Sequence, residues 1–128
     1  MSILEDVKYS KTHEWIRVDG DRATIGITAH AAEELGEIVF LELPEVGRIV
    51  AAEEKLCEIE SIKTTSEICA PVSGRIVQVN EDLADHPEVL NASPYGEGWI
   101  VIIDLSNKEQ IDTLLTPADY KALLDAAD

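Results

Sequence analysis

Lys55-Leu56-Cys57-Glu58-Ile59-Glu60-Ser61-Ile62-Lys63-Thr64-Thr65-Ser66-Glu67-Ile68-Cys69-Ala70-Pro71 is the stretch whose reading decides the fold. Strand-like residues flank a central lysine on both sides. Two-residue connections are the commonest in hairpins, which places Ile62-Lys63 at the tip and pairs Ser61 with Thr64. Directly opposed residues of an antiparallel pair share a face. In this register Cys57, Ile59 and Ile68 look toward a core, and Glu58, Glu60, Thr65 and Glu67 form an acidic surface beside the lysine. Ile-Lys is not a favoured type I′ tip, so the alternation carries the register and the turn does not. A one-residue tip would oppose Cys57 to Cys69 and invite a disulfide; the two-residue loop opposes Cys57 to Ile68 and leaves two small thiols. Lys63 at such a tip projects its amine beyond the fold, where an acylating enzyme can recognise the turn. The plain alternative is a solvated turn lysine.

A short repeat brackets the hairpin. Pro44-Glu45-Val46-Gly47-Arg48-Ile49-Val50 returns as Pro71-Val72-Ser73-Gly74-Arg75-Ile76-Val77, and Glu54 and Glu81 extend the match. This predicts two similar β units around the lysine, a small sandwich with approximate internal symmetry.

The other strand signals fall before residue 106. Glu14–Val18 and Arg22–Ile27 alternate around the turn cluster Asp19-Gly20-Asp21. Thr28 is placed to cap a short helix through Leu35, with Gly36 just past its end. Ile38–Leu43 reads as a half-buried strand stopped by Pro44, and Trp99–Leu105 as a fully buried one. Two helices are predicted at the C-terminus, covering a sheet. One opens at Ser106 with Glu109 at capping-box spacing and runs through Leu115; the other has Thr116 as cap and Pro117 as first residue and runs toward Ala126.

The chain has 128 residues, enough for one domain over 1–128 with an ordinary core. Ten basic against 26 acidic residues give a net charge of −16, which excludes nucleic acid and anionic membrane as partners. Such acidity either keeps a small protein soluble or steers a carrier toward basic rims on larger enzymes. Met1-Ser2-Ile3-Leu4-Glu5-Asp6 lacks the basic start of a secretory signal, and no apolar run is long enough for a span. A cytoplasmic bacterial protein is expected, a processed organellar one being the alternative. His13, His30 and His86 show no ligand spacing with the cysteines, and neither a nucleophile elbow nor a glycine-rich phosphate loop is present. An enzyme is not expected, and a monomer is.

The chain resembles the H-protein family of the glycine cleavage system, lipoyl carriers of the biotinyl/lipoyl domain group. The likeness runs from about Lys8 to Leu124 through Tyr9-Ser10-Lys11-Thr12-His13-Glu14-Trp15, Ile25-Gly26-Ile27-Thr28, Leu35–Phe40, Leu43–Gly47, Glu60-Ser61-Ile62-Lys63, Ala70–Gly74 and Ser93–Trp99. The resemblance implies a mainly β, lipoyl-domain-like barrel-sandwich hybrid. It implies lipoate held as an amide on Lys63, with no enzymatic activity of the carrier's own. The implied partners are glycine decarboxylase, which loads an aminomethyl group, a folate-dependent aminomethyltransferase, and dihydrolipoyl dehydrogenase, which reoxidises the arm. A lipoate ligase or a lipoyl/octanoyl transferase would attach the lipoate. The loaded arm would fold back into a cleft at Thr12, Glu14 and Glu67, whose two carboxylates can pair with a cationic aminomethyl group; simple solvation of both is the alternative. Thr64 stands where the family has a small alanine, Glu67 where it has Asp, and Ala51-Ala52-Glu53-Glu54 lacks a common glycine.

Three rivals follow. Biotin carriage is disfavoured, because biotinyl domains flank their lysine with methionines and here the flanks are Ile62 and Thr64. An H-like protein carrying sulfur in bacterial sulfur oxidation would keep the lipoate and change the cargo. A scaffold or lipoyl relay would need no aminomethyl cleft.

Overall fold

A computed structural model describes residues 4–126, so the first three residues of the N-terminal stretch and the last two of the chain lie outside the described part. Among the described residues nine strands form two antiparallel sheets. The larger has the order β1 (Lys8–Tyr9), β2 (Glu14–Asp19), β3 (Arg22–Ile27), β9 (Val101–Leu105), β8 (Gly74–Val79) and β5 (Ile49–Val50). The smaller has β4 (Ile38–Glu42), β6 (Lys55–Ser61) and β7 (Thr65–Cys69). Isoleucines, leucines and valines from the inner faces of both sheets share one cluster, including Ile25, Leu41, Ile59, Ile68, Ile76 and Ile103.

The repeated segments pair with each other. Ile49 lies opposite Arg75 and Val50 opposite Gly74, and Gly47 N–H donates to Ile76 O at 2.7 Å while Ile76 N–H donates to Arg48 O at 2.9 Å. Arg48 thus meets Ile76 as Ile49 meets Arg75, a local two-fold relation between the two units.

Helix α1 (Ala29–Leu35) is capped as predicted: Thr28 Oγ1 accepts from Ala31 N–H, and Gly36 follows at φ +78°. Two short helices, α2 (Asp82–Asp85) and α3 (Val89–Ala92), lead toward β9. α4 (Pro117–Ala126) starts at the predicted cap, where Thr116 Oγ1 accepts from Asp119 N–H at 3.1 Å and Asp119 Oδ2 accepts from Thr116 N–H at 3.4 Å.

Three expectations are corrected. The helix expected from Ser106 to Leu115 is a 3₁₀ segment, Lys108–Thr113, capped by Asn107 Oδ1 on Glu109 N–H. Its tighter winding goes with tertiary anchoring of Gln110, whose side chain accepts from Ser73 N–H at 2.7 Å and donates to Ser73 Oγ at 3.0 Å. β9 is half-buried and begins at Val101: Val101 and Ile103 enter the core, while Ile102 and Asp104 lie on the less covered face. β2 does not alternate at its start, because Glu14, Trp15 and Ile16 are all fully buried. Tyr9, Trp15 and Tyr120 form a second cluster there, with the Tyr9 and Tyr120 rings stacked at 4.3 Å, so α4 covers what would be the wet face. Trp15 lies over Gly26, where any Cβ would stand 2.7 Å from the indole nitrogen.

Candidate functional site

The lysine hairpin has the predicted register. Cys57 opposes Ile68, Glu58 opposes Glu67 and Glu60 opposes Thr65. Cys57, Ile59 and Ile68 are buried. A bulge next to Lys55 turns Leu56 inward as well and sets Lys55 opposite Cys69. Both cysteines are free thiols, and burial pushes them up, Cys57 to about 12.

Neither Ile62 nor Lys63 takes a positive φ, so the tip is not the glycine-demanding type I′ turn. Ser61 closes it instead. Its N–H donates to Thr64 O at 2.8 Å, and its Oγ accepts from the N–H groups of Lys63 (3.2 Å) and Thr64 (3.1 Å). Ile62 N–H donates to Glu37 O at 3.0 Å, which ties the tip to the segment after α1. The exposed Lys63 lays its stem along Gly36, where a Cβ would come within 3.0 Å of Lys63 Cε. Sequence reasoning missed Ser61, although a serine two residues before a turn lysine is a recognisable closing group.

A groove of about 260 Å³ leads from Thr64, Thr65 and Ser66 past Glu34 to Thr12 and His13. Thr12 also lines an adjoining cavity of about 420 Å³, with Ser10, Glu14, Cys69, Gln110 and Leu114 on its walls. A larger cavity of about 570 Å³ sits between α1 and Asn91–Gly96. Lys63 lines none of the three, but its neighbour Thr64 lines the groove that reaches Thr12, and no residue of the hairpin tip lines the larger cavity. Position relative to the lysine, not size, selects the Thr12–Glu14 cavity.

Glu14 is 0 % exposed, which overturns the solvated alternative for this residue. Its Oε1 accepts from Ser10 Oγ at 2.5 Å and from Thr12 Oγ1 at 2.6 Å. Its Oε2 is buried without a hydrogen-bond partner. Burial pushes the carboxyl up to about 7, against the pull of the two hydroxyls and of the Cys69 backbone N–H. The loop that presents it is closed by Ser10 N–H on Glu14 O (2.9 Å) and by His13 at φ +70°, whose ring meets Tyr120 Oη at 2.9 Å. Glu67 is not on the cavity wall; it lies exposed on the outer face of β7 opposite Glu58. The structure therefore brings Thr12 and Glu14 together, adds Ser10 and Gln110, and leaves Glu67 outside.

The sequence model of the glycine cleavage H-protein family matches residues 7–127. The chain belongs to this family. It is 48% identical over 124 residues to a glycine cleavage system H protein of Geobacillus kaustophilus, covering 97% of this chain and 98% of the relative. It is 48% identical over 123 residues to that of Bacillus subtilis, with 96% and 97% covered. A crystal structure of a glycine cleavage system H protein from Mycobacterium marinum superposes with a TM-score of 0.89 at 40% identity, covering 96% of this chain and 99% of that one. The barrel-sandwich architecture expected of an H protein is thus borne out. Family membership supports a lipoyl carrier in glycine cleavage and does not favour sulfur carriage or a relay role.

Proposed function

We propose that Lys63 is the lipoyl attachment site and that the Thr12–Glu14 cavity receives the loaded end of the arm. The observation that carries this is the unpartnered, buried Glu14 Oε2 in a cavity joined at Thr12 to the groove that starts beside Lys63. Lipoate, held as an amide on Lys63, would supply a disulfide able to take up the aminomethyl group and, left as a dithiol, to be reoxidised without leaving the lysine. The protein's own part is geometric and electrostatic. Ser61 and the Glu37 tie hold the tip rigid, and Gly36 leaves room for the lysine stem. The cavity walls exclude water, and Glu14 offers a lone pair to a cationic amine, whose charge in turn favours ionisation of the carboxyl. Glu67, with Glu58 and Glu60, contributes an acidic outer face beside the tip that basic partner surfaces recognise.

The same proposal covers the finer points: one carrier domain over 1–128, monomeric, cytoplasmic and without catalysis of its own. It visits glycine decarboxylase, the aminomethyltransferase and dihydrolipoyl dehydrogenase, and is charged by a lipoate ligase or a lipoyl/octanoyl transferase. No described helix is long and apolar enough to cross a membrane.

Incubation with lipoate and a lipoate ligase should add one lipoyl mass to the intact protein, and Lys63→Ala should remain unmodified. The lipoylated protein should then support glycine–bicarbonate exchange with glycine decarboxylase. Modification of Lys63→Ala overturns the attachment site; absence of exchange from a confirmed lipoylated sample overturns the aminomethyl cargo.

A further inference from the structure

The Glu14 carboxyl is held asymmetrically. Ser10 Oγ accepts from Glu14 N–H at 2.9 Å, which directs its single proton onto Glu14 Oε1 at 2.5 Å. The Thr12 hydroxyl spends its proton on the same oxygen at 2.6 Å. With two O–H donors aimed at Oε1, a third proton has no room there, so the carboxyl's own proton belongs on Oε2. That atom is buried, without a hydrogen-bond partner, in a residue that lines the cavity, and the Cys69 backbone N–H also faces the carboxyl and favours its charged form. The arrangement is local and rigid, since Ser10 also donates its N–H to Glu14 O and accepts from His13 N–H at 3.2 Å.

We propose that Ser10 and Thr12 are positioning residues that saturate Glu14 Oε1, so that Oε2 is the single atom that exchanges a proton and accepts the cationic cargo. This rests on the cavity being the cargo seat, as proposed above. Thr12 then acts through Glu14 and not by touching the cargo. Ser10, absent from the cleft that the family likeness implied, becomes as important as Thr12. The device also explains how a fully buried carboxyl can ionise near neutrality at all. Two charge-assisted hydrogen bonds offset part of the cost of burial while leaving one oxygen free for the ligand.

Other groups face the same carboxyl. Lys11 and Glu53 share the cavity wall, and the Cys57 and Cys69 thiols and the Tyr120 hydroxyl lie near it. Burial keeps the thiols and the phenol protonated between pH 5 and 8, Cys57 and Tyr120 being pushed up to about 12. The His13 imidazole, in the same turn and held by burial below its ordinary value, is followed through its own ring signals, so that the Glu14 side-chain carbon, titrated by NMR over that range, reads Glu14 itself.

The test begins on the full chain without lipoate. Ser10→Ala should raise the Glu14 midpoint by about one pH unit, the loss of one hydrogen bond to the charged form. Ser10→Thr, which keeps the hydroxyl, should restore it. Thr12→Val should raise it likewise and serves as the reading if Ser10→Ala does not fold. An unchanged midpoint in the folded variants overturns the clamp. The second measurement uses the lipoylated protein loaded with the aminomethyl group: the pH at which cargo is lost should move upward with the Glu14 midpoint. If the carboxyl midpoint moves and cargo loss does not follow, the clamp stands, but Oε2 is not the cargo acceptor and the cavity reading fails.

Discussion

Glu14 shows how one residue's environment decides its chemistry. In the sequence it is a glutamate opening a strand, a place where carboxylates are ordinarily wet. In the fold it is 0 % exposed, behind the Ser10–His13 turn on the wall of the cavity it shares with Cys69 and Leu114, and its carboxyl is pushed up to about 7 by that burial. The folded chain therefore keeps this proton at a pH where the unfolded chain has given it up. The resulting stability is fully present below about pH 4.5, erodes as pH rises, and is gone above pH 7. Over that window it amounts to about 3 kcal/mol at most. Glu14→Gln keeps the shape and the acceptor for both hydroxyls but cannot ionise. Its urea midpoint should exceed that of the parent protein at pH 8 and converge with it near pH 5. Parallel curves for the two proteins would show that Glu14 does not titrate in this range.

At the scale of elements, identical residues do different work in the two repeated units. Gly47 sits at φ +97° with open space around it, so its backbone conformation is what requires glycine. Gly74 has an ordinary φ, but a Cβ there would run into the Asp104 carbonyl on β9, so close strand packing requires it. The converse holds at Glu53, which adopts φ +74°, a conformation that favours glycine, and donates its N–H to Ala70 O at 2.6 Å. Glu53→Gly should relieve that strain and raise stability by about 0.5–1 kcal/mol after the entropy cost of glycine; Glu53→Val should lower it. Thermal unfolding at pH 7 would show both, and a lower melting temperature for Glu53→Gly would argue that its side chain holds the turn. The hairpin register, the caps at Thr28 and Thr116 and the repeat were legible because they follow from local periodicity and side-chain chemistry. The 3₁₀ segment after Asn107, the one-sided burial of β9 and the sealing of Glu14 were not. The first leans on Ser73 through Gln110, and the last on the Cys69–Pro71 and Gln110–Leu114 segments that wall the cavity beside Glu14. The Lys63 hairpin was legible because it is local, and the contact of Ser10 with Glu14 escaped because only burial gives it meaning.

At the scale of the molecule, the charge of −16 is displayed where it can act. Glu42, Glu58 and Glu67 lie across neighbouring strands of the small sheet, with Glu60 opposite the half-exposed Phe40 and the exposed Ile62 at the tip. An acidic face with apolar side chains at its centre favours encounter with basic partner surfaces and then holds them by contact. The association rate with glycine decarboxylase, followed by stopped flow, should fall about tenfold between low and half-molar salt. A salt-insensitive rate would reduce the acidity to a matter of solubility. The hydrogen bond from Ile62 to Glu37 has one further consequence. It holds the hairpin tip in place, so an arm carried on Lys63 as proposed has a fixed base and serves one client at a time. Each molecule must take its customers in turn, and the slowest of them sets the waiting time for all. Flux through the cycle should then rise with the number of carrier molecules until that slowest customer is never idle.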